Sequence, residues 1–314
     1  MAVNRTSILR GPGTVIFDGV NLFDKEGITA DVDVSTQDVG SSLSGQLDTI
    51  KTDQVAKVTM TPVGVLSAAL VAKLFPYANP TVGASVFGST DKTLVVHSLA
   101  GTKLTFVNGQ LTKMPELSLS PVKTAFGSCE FTGLLGLGKA PGDENSVFKV
   151  ETAAYAAGAP QPDAMTGAQY VGTWGSGSDA LVIPDTKDGW TVTPELELEP
   201  VQTDNLGTVD YTIAGLKVTA TCTPLGLTEA QILAALPITN ARGSSMRGSQ
   251  DLVIAGGTGA LTVTLKNATL VKGPLAWGNT TLRAGQIQFT AHRSFSDGAA
   301  GAVWGVEFNA ATED

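Results

Sequence analysis

Short runs in which apolar and polar residues alternate recur along the chain, separated by Gly, Pro, Asn and Asp, and this texture predicts strands and turns. Thr14-Val15-Ile16-Phe17-Asp18-Gly19 reads as a strand entering a turn, after a polar arm over residues 1–12. In Asp31-Val32-Asp33-Val34 strict alternation puts both carboxylates on one strand face and both valines on the other. Glu195-Leu196-Glu197-Leu198-Glu199 repeats that device. After the first acidic strand comes a polar, Gly- and Ser-containing stretch, Gln37 to Lys51, which predicts an extended loop or hairpin tip projecting from a sheet. A shorter segment around Gln202 to Val209 takes its place in the second half.

The period turns helical twice. Leu66, Ala69, Leu70, Lys73 and Leu74 recur at i, i+3, i+4, i+7 and i+8, which predicts a short helix with Leu66, Leu70 and Leu74 on its core side. Thr228-Glu229-Ala230-Gln231 has the form of a capping box ahead of Ile232, Leu233 and Leu236, the core positions of a second helix. The expectation is an all-β protein with one short helix per repeated unit, packed on a sheet.

That a unit is repeated follows from the order of matches between the halves. Lys57-Val58-Thr59-Met60-Thr61-Pro62-Val63-Gly64 answers to Lys217-Val218-Thr219-Ala220-Thr221-Cys222-Thr223-Pro224-Leu225-Gly226, with two residues inserted in the second copy. Leu94-Val95-Val96 then meets Leu252-Val253-Ile254; Thr105, Asn108, Leu111, Lys113 and Pro115 meet Thr264, Asn267, Leu270, Lys272 and Pro274. Gly127 and Phe131-Thr132 answer to Gly285 and Phe289-Thr290, and Gly27-Ile28-Thr29 aligns with Gly189-Trp190-Thr191. One conserved order with short insertions is the signature of a tandem repeat. The boundaries expected are a first domain over 1–155, a Gly/Ala/Pro-rich connection over 156–180, and a second domain over 181–314 with its first strand near Leu181.

Composition narrows the function. A chain of 314 residues is long enough for two domains, each with its own core. The net charge of −9 opposes tight nucleic-acid binding, which needs clustered Lys and Arg; DNA remains admissible as a passing cargo. No apolar run reaches membrane-helix length and Met1 to Arg10 has no signal-peptide core, so synthesis in the cytoplasm and no membrane partner are expected. Cys129 and Cys222 fall at non-equivalent places and are read as reduced core residues.

Catalytic chemistry has few footholds. His97 and His292 each end an apolar strand and read as structural, and no zinc-ligand spacing exists. Gly256-Gly257-Thr258-Gly259 lies between two strand-like segments with no helix behind it, so it reads as a hairpin turn and not a phosphate loop. Same-face carboxylates such as Asp31 and Asp33 lie about 7 Å apart by strand rise, which admits a glycosidase pair. With aromatics at 6%, however, the chain has little with which to stack sugars. No enzyme activity, cofactor or metal is expected. The acids are then ordinary solvated strand faces or the lining of an acidic compartment.

The Lys-Val-Thr-x-Thr-Pro-x-Gly stretch at Lys57, the short helix after it, the long polar segment before it, the N-terminal arm and the tandem copy together resemble the major tail tube proteins of long-tailed bacteriophages, in the form with two fused tube domains. The resemblance covers nearly the whole chain and rests on architecture. It implies tandem tail-tube β-sandwich domains that pair edge to edge into rings lined by a continuous β-barrel, which stack into a conduit for the genome. Two domains per chain then imply a homotrimeric, pseudo-hexameric ring. The implied location is the virion tail. The implied partners are further copies of the chain, the tape-measure protein, the tail terminator and tail-tip proteins, with double-stranded DNA as transient cargo. On this reading Asp31, Asp33, Glu195, Glu197 and Glu199 line the bore, where carboxylates repel phosphates, and Ser41, Ser42, Leu43, Ser44 and Gly45 cross between rings. The alternatives are a tail-tip, tube-initiating or secretion-system tube protein, or a tandem β-sandwich module that binds carbohydrate. Trp174, Trp190, Trp277 and Trp304, scattered singly, speak against the last.

Overall fold

The computed structural model describes residues 13–41, 45–63, 66–88, 91–98, 101–136, 147–153, 167–203, 207–228, 230–231, 241–245, 250–273, 275–277, 282–293, 295–296 and 299–310. Residues 1–12, Ser42, Leu43, Ser44, Ile232, Leu233 and Leu236, together with 156–166 of the Gly/Ala/Pro-rich connection, lie outside the described residues.

The protein is all-β. Its first half contains β1 (Gly13–Phe17), β2 (Val20–Asp24), β3 (Thr29–Ser41), β4 (Gly45–Met60), β5 (Pro62–Val63), helix α1 (Ala68–Leu74), β6 (Leu94–Ser98), β7 (Thr102–Phe106), β8 (Asn108–Lys113), β9 (Leu117–Leu119), β10 (Thr124–Phe126), β11 (Cys129–Leu134) and β12 (Phe148–Thr152). The second half contains β13 (Val171–Trp174), β14 (Leu181–Ile183), β15 (Asp185–Thr203), β16 (Gly207–Leu225), β17 (Leu252–Ala255), β18 (Leu261–Leu265), β19 (Thr269–Lys272), β20 (Leu275–Trp277), β21 (Leu282–Ala284), β22 (Ile287–Thr290), β23 (Phe295–Ser296), β24 (Ala299–Ala300) and β25 (Trp304–Phe308).

Each half builds two larger antiparallel sheets, and their strand orders correspond; β20-β21 and β23-β24 are separate two-stranded sheets. One sheet runs β12-β7-β6-β1-β2-β5 in the first half, and β25-β18-β17-β13-β14 in the second. The other runs β3-β4-β11-β8 in the first half, and β15-β16-β22-β19 in the second, extended beyond β15 by β9 and β10 of the first half. The sheets pack face to face through aromatic pairs at corresponding places. Phe17 meets Phe131 at 4.9 Å between ring centroids, and Trp174 meets Phe289 at 5.9 Å. Close approach needs glycine in the wall: a Cβ on Gly133 would lie 2.7 Å from Phe106 Cδ1, and one on Gly109 would lie 2.6 Å from Leu94 Cβ. The buried residues of both halves form one continuous cluster, from Val15 and Phe131 through to Phe289 and Trp304.

The long β3/β4 and β15/β16 hairpins agree residue by residue. Thr29 faces Thr59 and Thr191 faces Thr221, at one constant spacing between the halves. Bulges interrupt the ladder between Ser35 and Thr36 and between Val39 and Gly40, and at the corresponding Glu197/Leu198 and Val201/Gln202. Glycine at positive φ closes both tips, Gly45 at 71° and Gly207 at 66°. A bulge bends a strand and leaves a residue unpaired, so its position is a specific feature of a sheet.

Of the two readings of Gln37 to Lys51, the described residues follow the hairpin, with Gln37 to Ser41 paired to Gly45 to Ile50. Three expectations change. The second hairpin is not shorter, for its ladder runs out to Thr203 and Gly207 as the first runs out to Ser41 and Gly45. In the ladder the partner of Lys57 in the second half is Thr219 rather than Lys217, and Thr61-Pro62 superimposes on Thr223-Pro224 without an insertion between the strands. The first strand of the second half begins at Val171, ahead of Leu181, where Gly172 and Gly175 interrupt the apolar signal.

Helix α1 starts at Ser67, whose side chain accepts from the Leu70 N–H at 3.2 Å. Leu66, Leu70, Val71 and Leu74 are buried, whereas Ala69 is exposed, so the apolar stripe is rotated from the one read in the sequence. Lys73 lies at the rim, paired with Asp18. Asp18 and Gly19 have φ of 45° and 80°, as the two-residue turn between β1 and β2 requires.

Candidate functional site

The feature that needs a functional account is the pair of long hairpins and the surfaces beside them. In the second half, Glu195, Glu197 and Glu199 are exposed on β15, while Leu196 and Leu198 turn inward. In the first half, Asp31 and Asp33 lie on one face of β3 and are likewise exposed. The two acidic strands therefore take corresponding places in their sheets. Each also faces a lysine across the ladder. Asp31 stands opposite Lys57, which lies 3.8 Å from Glu130, and Glu195 accepts from Lys217 at 3.1 Å. The acids outnumber the lysines, so these faces are net negative but not purely anionic. Exposed pairs of this kind contribute at most about 1 kcal/mol each.

The inner faces differ in how they are covered. Beyond the main core, Ile213 on β16 joins Val86, Phe87 and Leu134 in a second small cluster, with Val55, Leu196, Leu198 and Tyr211 at its edge. The segment after α1 pairs with β16: Gly83 N–H donates to Ile213 O at 2.8 Å, Ile213 N–H to Ala84 O at 3.0 Å, and Val86 N–H to Tyr211 O at 2.8 Å. Near the tip, Asp53 of β4 accepts from the Thr208 N–H at 3.0 Å and from its hydroxyl at 2.7 Å. The second hairpin is thus anchored on the first half. Among the described residues the first hairpin has no such cover, and Val32, Val34, Val39, Leu47 and Ile50 on it are exposed, Leu47 to 61%.

A further joint links the halves through a strand edge. The β9/β10 hairpin leaves the first half and adds to β15, with Trp190 opposite Leu119, Thr191 opposite Ser118 and Val192 opposite Leu117. Tyr170 tightens the joint by bonding Thr124 Oγ1 at 2.9 Å. Phe75 meets Trp304 edge-on at 5.4 Å, and Trp304 Nε1 donates to the Tyr77 carbonyl at 3.2 Å.

His97 Nε2 lies 3.2 Å from the Ala153 carbonyl, a contact that ties β6 to the end of β12. Among the described residues no group of three or more His, Cys, Asp or Glu could hold a metal. Residues 256–259 join β17 to its antiparallel neighbour β18, and Asn309 Nδ2 holds the turn by donating to Gly256 O at 3.0 Å. Cys129 and Cys222 are free and buried, and burial pushes both thiols far up. Trp190 and Trp304 are buried and Trp174 is half-buried, so these three make no exposed sugar-stacking platform. No helix among the described residues is long and apolar enough to cross a membrane.

Of the expected inter-ring residues, Ser41 and Gly45 end the two strands at the hairpin tip, both exposed. The joint through β9 and β15 has a signal in the sequence, the alternating Leu117-Ser118-Leu119, which specifies a strand but not the strand it joins. No protein-family model matches this chain, and no curated protein is similar to it.

Proposed function

We propose that this protein is a structural subunit with two tandem copies of one β-sandwich domain, and that it polymerises through rings into a tube of the bacteriophage-tail kind. The observation that carries the reading is the agreement of strand order, hairpin register and bulge position between the halves. A duplicated domain joined to its own copy through an exposed edge is already half of a head-to-tail interface, and such interfaces close into rings when the rotation permits. Closure also removes exposed sheet edges, which otherwise invite aggregation.

On this reading three chains make a pseudo-hexameric ring, with the faces that bear Asp31, Asp33, Glu195, Glu197 and Glu199 toward the bore. A net-negative wall lets a phosphate backbone pass, whereas a basic wall would hold it by counterion release. The tip near Ser41 and Gly45 reaches the neighbouring ring. Further copies of the chain, a tape-measure protein, terminator and tail-tip proteins are the partners, and DNA is the cargo within a virion tail.

Negative-stain electron microscopy at rising concentration, with the mass of the smallest stable species, tests the proposal. Hollow rods with a regular axial repeat, or threefold rings, are expected. A monomer that never assembles would overturn it.

A further inference from the structure

The β9/β10 hairpin has a counterpart in the second half, and among the described residues that counterpart joins no further strand. Leu275-Ala276-Trp277 and Leu282-Arg283-Ala284 form β20 and β21, a two-stranded sheet paired only with itself. Their register repeats that of the first hairpin: Leu117 faces Phe126 and Leu275 faces Ala284, with four residues between the strands in each. β10 lies against β5, and β21 lies against β16. The apolar-small-apolar pattern of Leu117-Ser118-Leu119 recurs in Leu275-Ala276-Trp277.

Among the described residues, the edge that would receive this hairpin carries no strand. The counterpart of β15 is β3, which among them pairs with β4 alone and ends its sheet. Burial records what is missing. Trp190 and Val192, covered by β9, are buried, whereas Ile28 and Ala30 at the corresponding places are half-buried. Two glycines make the same contrast. Gly189, with φ of 87°, has Leu119 O 2.3 Å from where its Cβ would be. Gly27, with φ of 111°, has nothing within 4 Å of that point. Both have the backbone shape that admits a close neighbour strand, and only Gly189 has the neighbour.

We infer that the β20/β21 hairpin of one protein chain adds to β3 of a second copy as β9/β10 adds to β15, with Trp277 opposite Ile28, Ala276 opposite Thr29 and Leu275 opposite Ala30. One chain then offers a hairpin at one end and an open edge at the other, so the contact is heterologous and repeats from copy to copy. The same addition would bring a neighbour toward the uncovered first hairpin, where Leu47 and Ile50 are exposed. Ring closure rests on the tube reading, while the pairing rests only on the hairpin and the edge.

The test is a disulfide between opposed positions, where directly facing Cβ atoms lie about 4.5–5.5 Å apart and oxidation needs little movement. Thr29→Cys with Ala276→Cys, oxidised mildly at the concentration where the native protein assembles or at its highest soluble concentration, should convert most monomer into a reducible ladder of dimers and larger species. Either substitution alone should leave monomer. Ser118→Cys with Thr191→Cys, opposed within one chain, is the positive control and should give an oxidised monomer. If the control oxidises and native protein forms rings but the first pair stays monomeric, the inference fails and the tube reading survives. A ladder from a protein that makes only open chains upholds the pairing and overturns the tube. With neither ladder nor assembly, both fall.

Discussion

Gly172 and Trp190 occupy one site between them: a Cβ on Gly172 would lie 2.2 Å from Trp190 Cζ2. In the first half the corresponding ladder positions are held by Val15 and, just before β3, Ile28, both of medium size, where the second half has a very small and a very large residue. The close fit of Gly172 and Trp190 predicts strong coupling. Gly172→Val should cost about 1–3 kcal/mol or more by overpacking, and Trp190→Ile about 3 kcal/mol by leaving a cavity. The double substitution should recover at least about 1 kcal/mol of their sum, measured by denaturant unfolding. Strict additivity would show that the two sites are independent.

Asp53 to Thr208 is the polar lock between the hairpins. Asp53→Ala should weaken it by about 1–3 kcal/mol, because both donors on Thr208 lose a charged acceptor. Hydrogen exchange at the Thr208 amide should accelerate several-fold while amides of β17 and β18 stay unchanged. Equal acceleration everywhere would mean a global loss of stability and not an opened lock.

The hydrogen bond from Lys73 holds the Asp18 carboxyl below its ordinary pKa, and the lysine charge adds to the effect. A depressed folded pKa gives stability that is present above the unfolded value of about 3.9 and is lost as pH falls through the folded value. Asp18 is largely solvated, so the expected cost of Asp18→Asn at neutral pH is under about 1 kcal/mol. The difference from the native protein should shrink toward zero as unfolding is followed from pH 6 down to pH 2. A difference that persists at the acid end would assign the effect to something other than charge.

Tyr77 behaves oppositely in pH. Burial pushes its hydroxyl up to about 12, while it donates to the Leu111 carbonyl at 2.9 Å. A raised folded pKa gives stability that is fully present below the unfolded value of about 10 and is lost as pH rises through the folded one. Tyr77→Phe should therefore cost about 1 kcal/mol at pH 8 and flatten the loss of stability between pH 10 and 12. An unaltered alkaline profile would place that loss on other groups.

Native Cys129 and Cys222 should resist a thiol reagent at pH 8, since burial suppresses the thiolate and blocks access. Both should react within the dead time after unfolding. Rapid labelling of the folded protein would contradict their burial.

The sequence by itself determined the local elements. Alternation at Asp31 to Val34 and at Glu195 to Glu199 specified strands, and the spacing of Leu66, Leu70 and Leu74 specified a helix, because each pattern needs only the period of its own segment. Matched glycines such as Gly27 and Gly189 were also legible, since a positive φ selects for glycine wherever it occurs. Tertiary structure alone decided the ladder register of the two hairpins, the strand at Val171, and the addition of β9 to β15. Register depends on which residue lies across the sheet, not on neighbours in sequence, so a slip of two leaves the alternating pattern of Lys57 and Lys217 unchanged. The strand at Val171 was hidden for a related reason: Gly172 is small only because Trp190, far along the chain, fills the space above it.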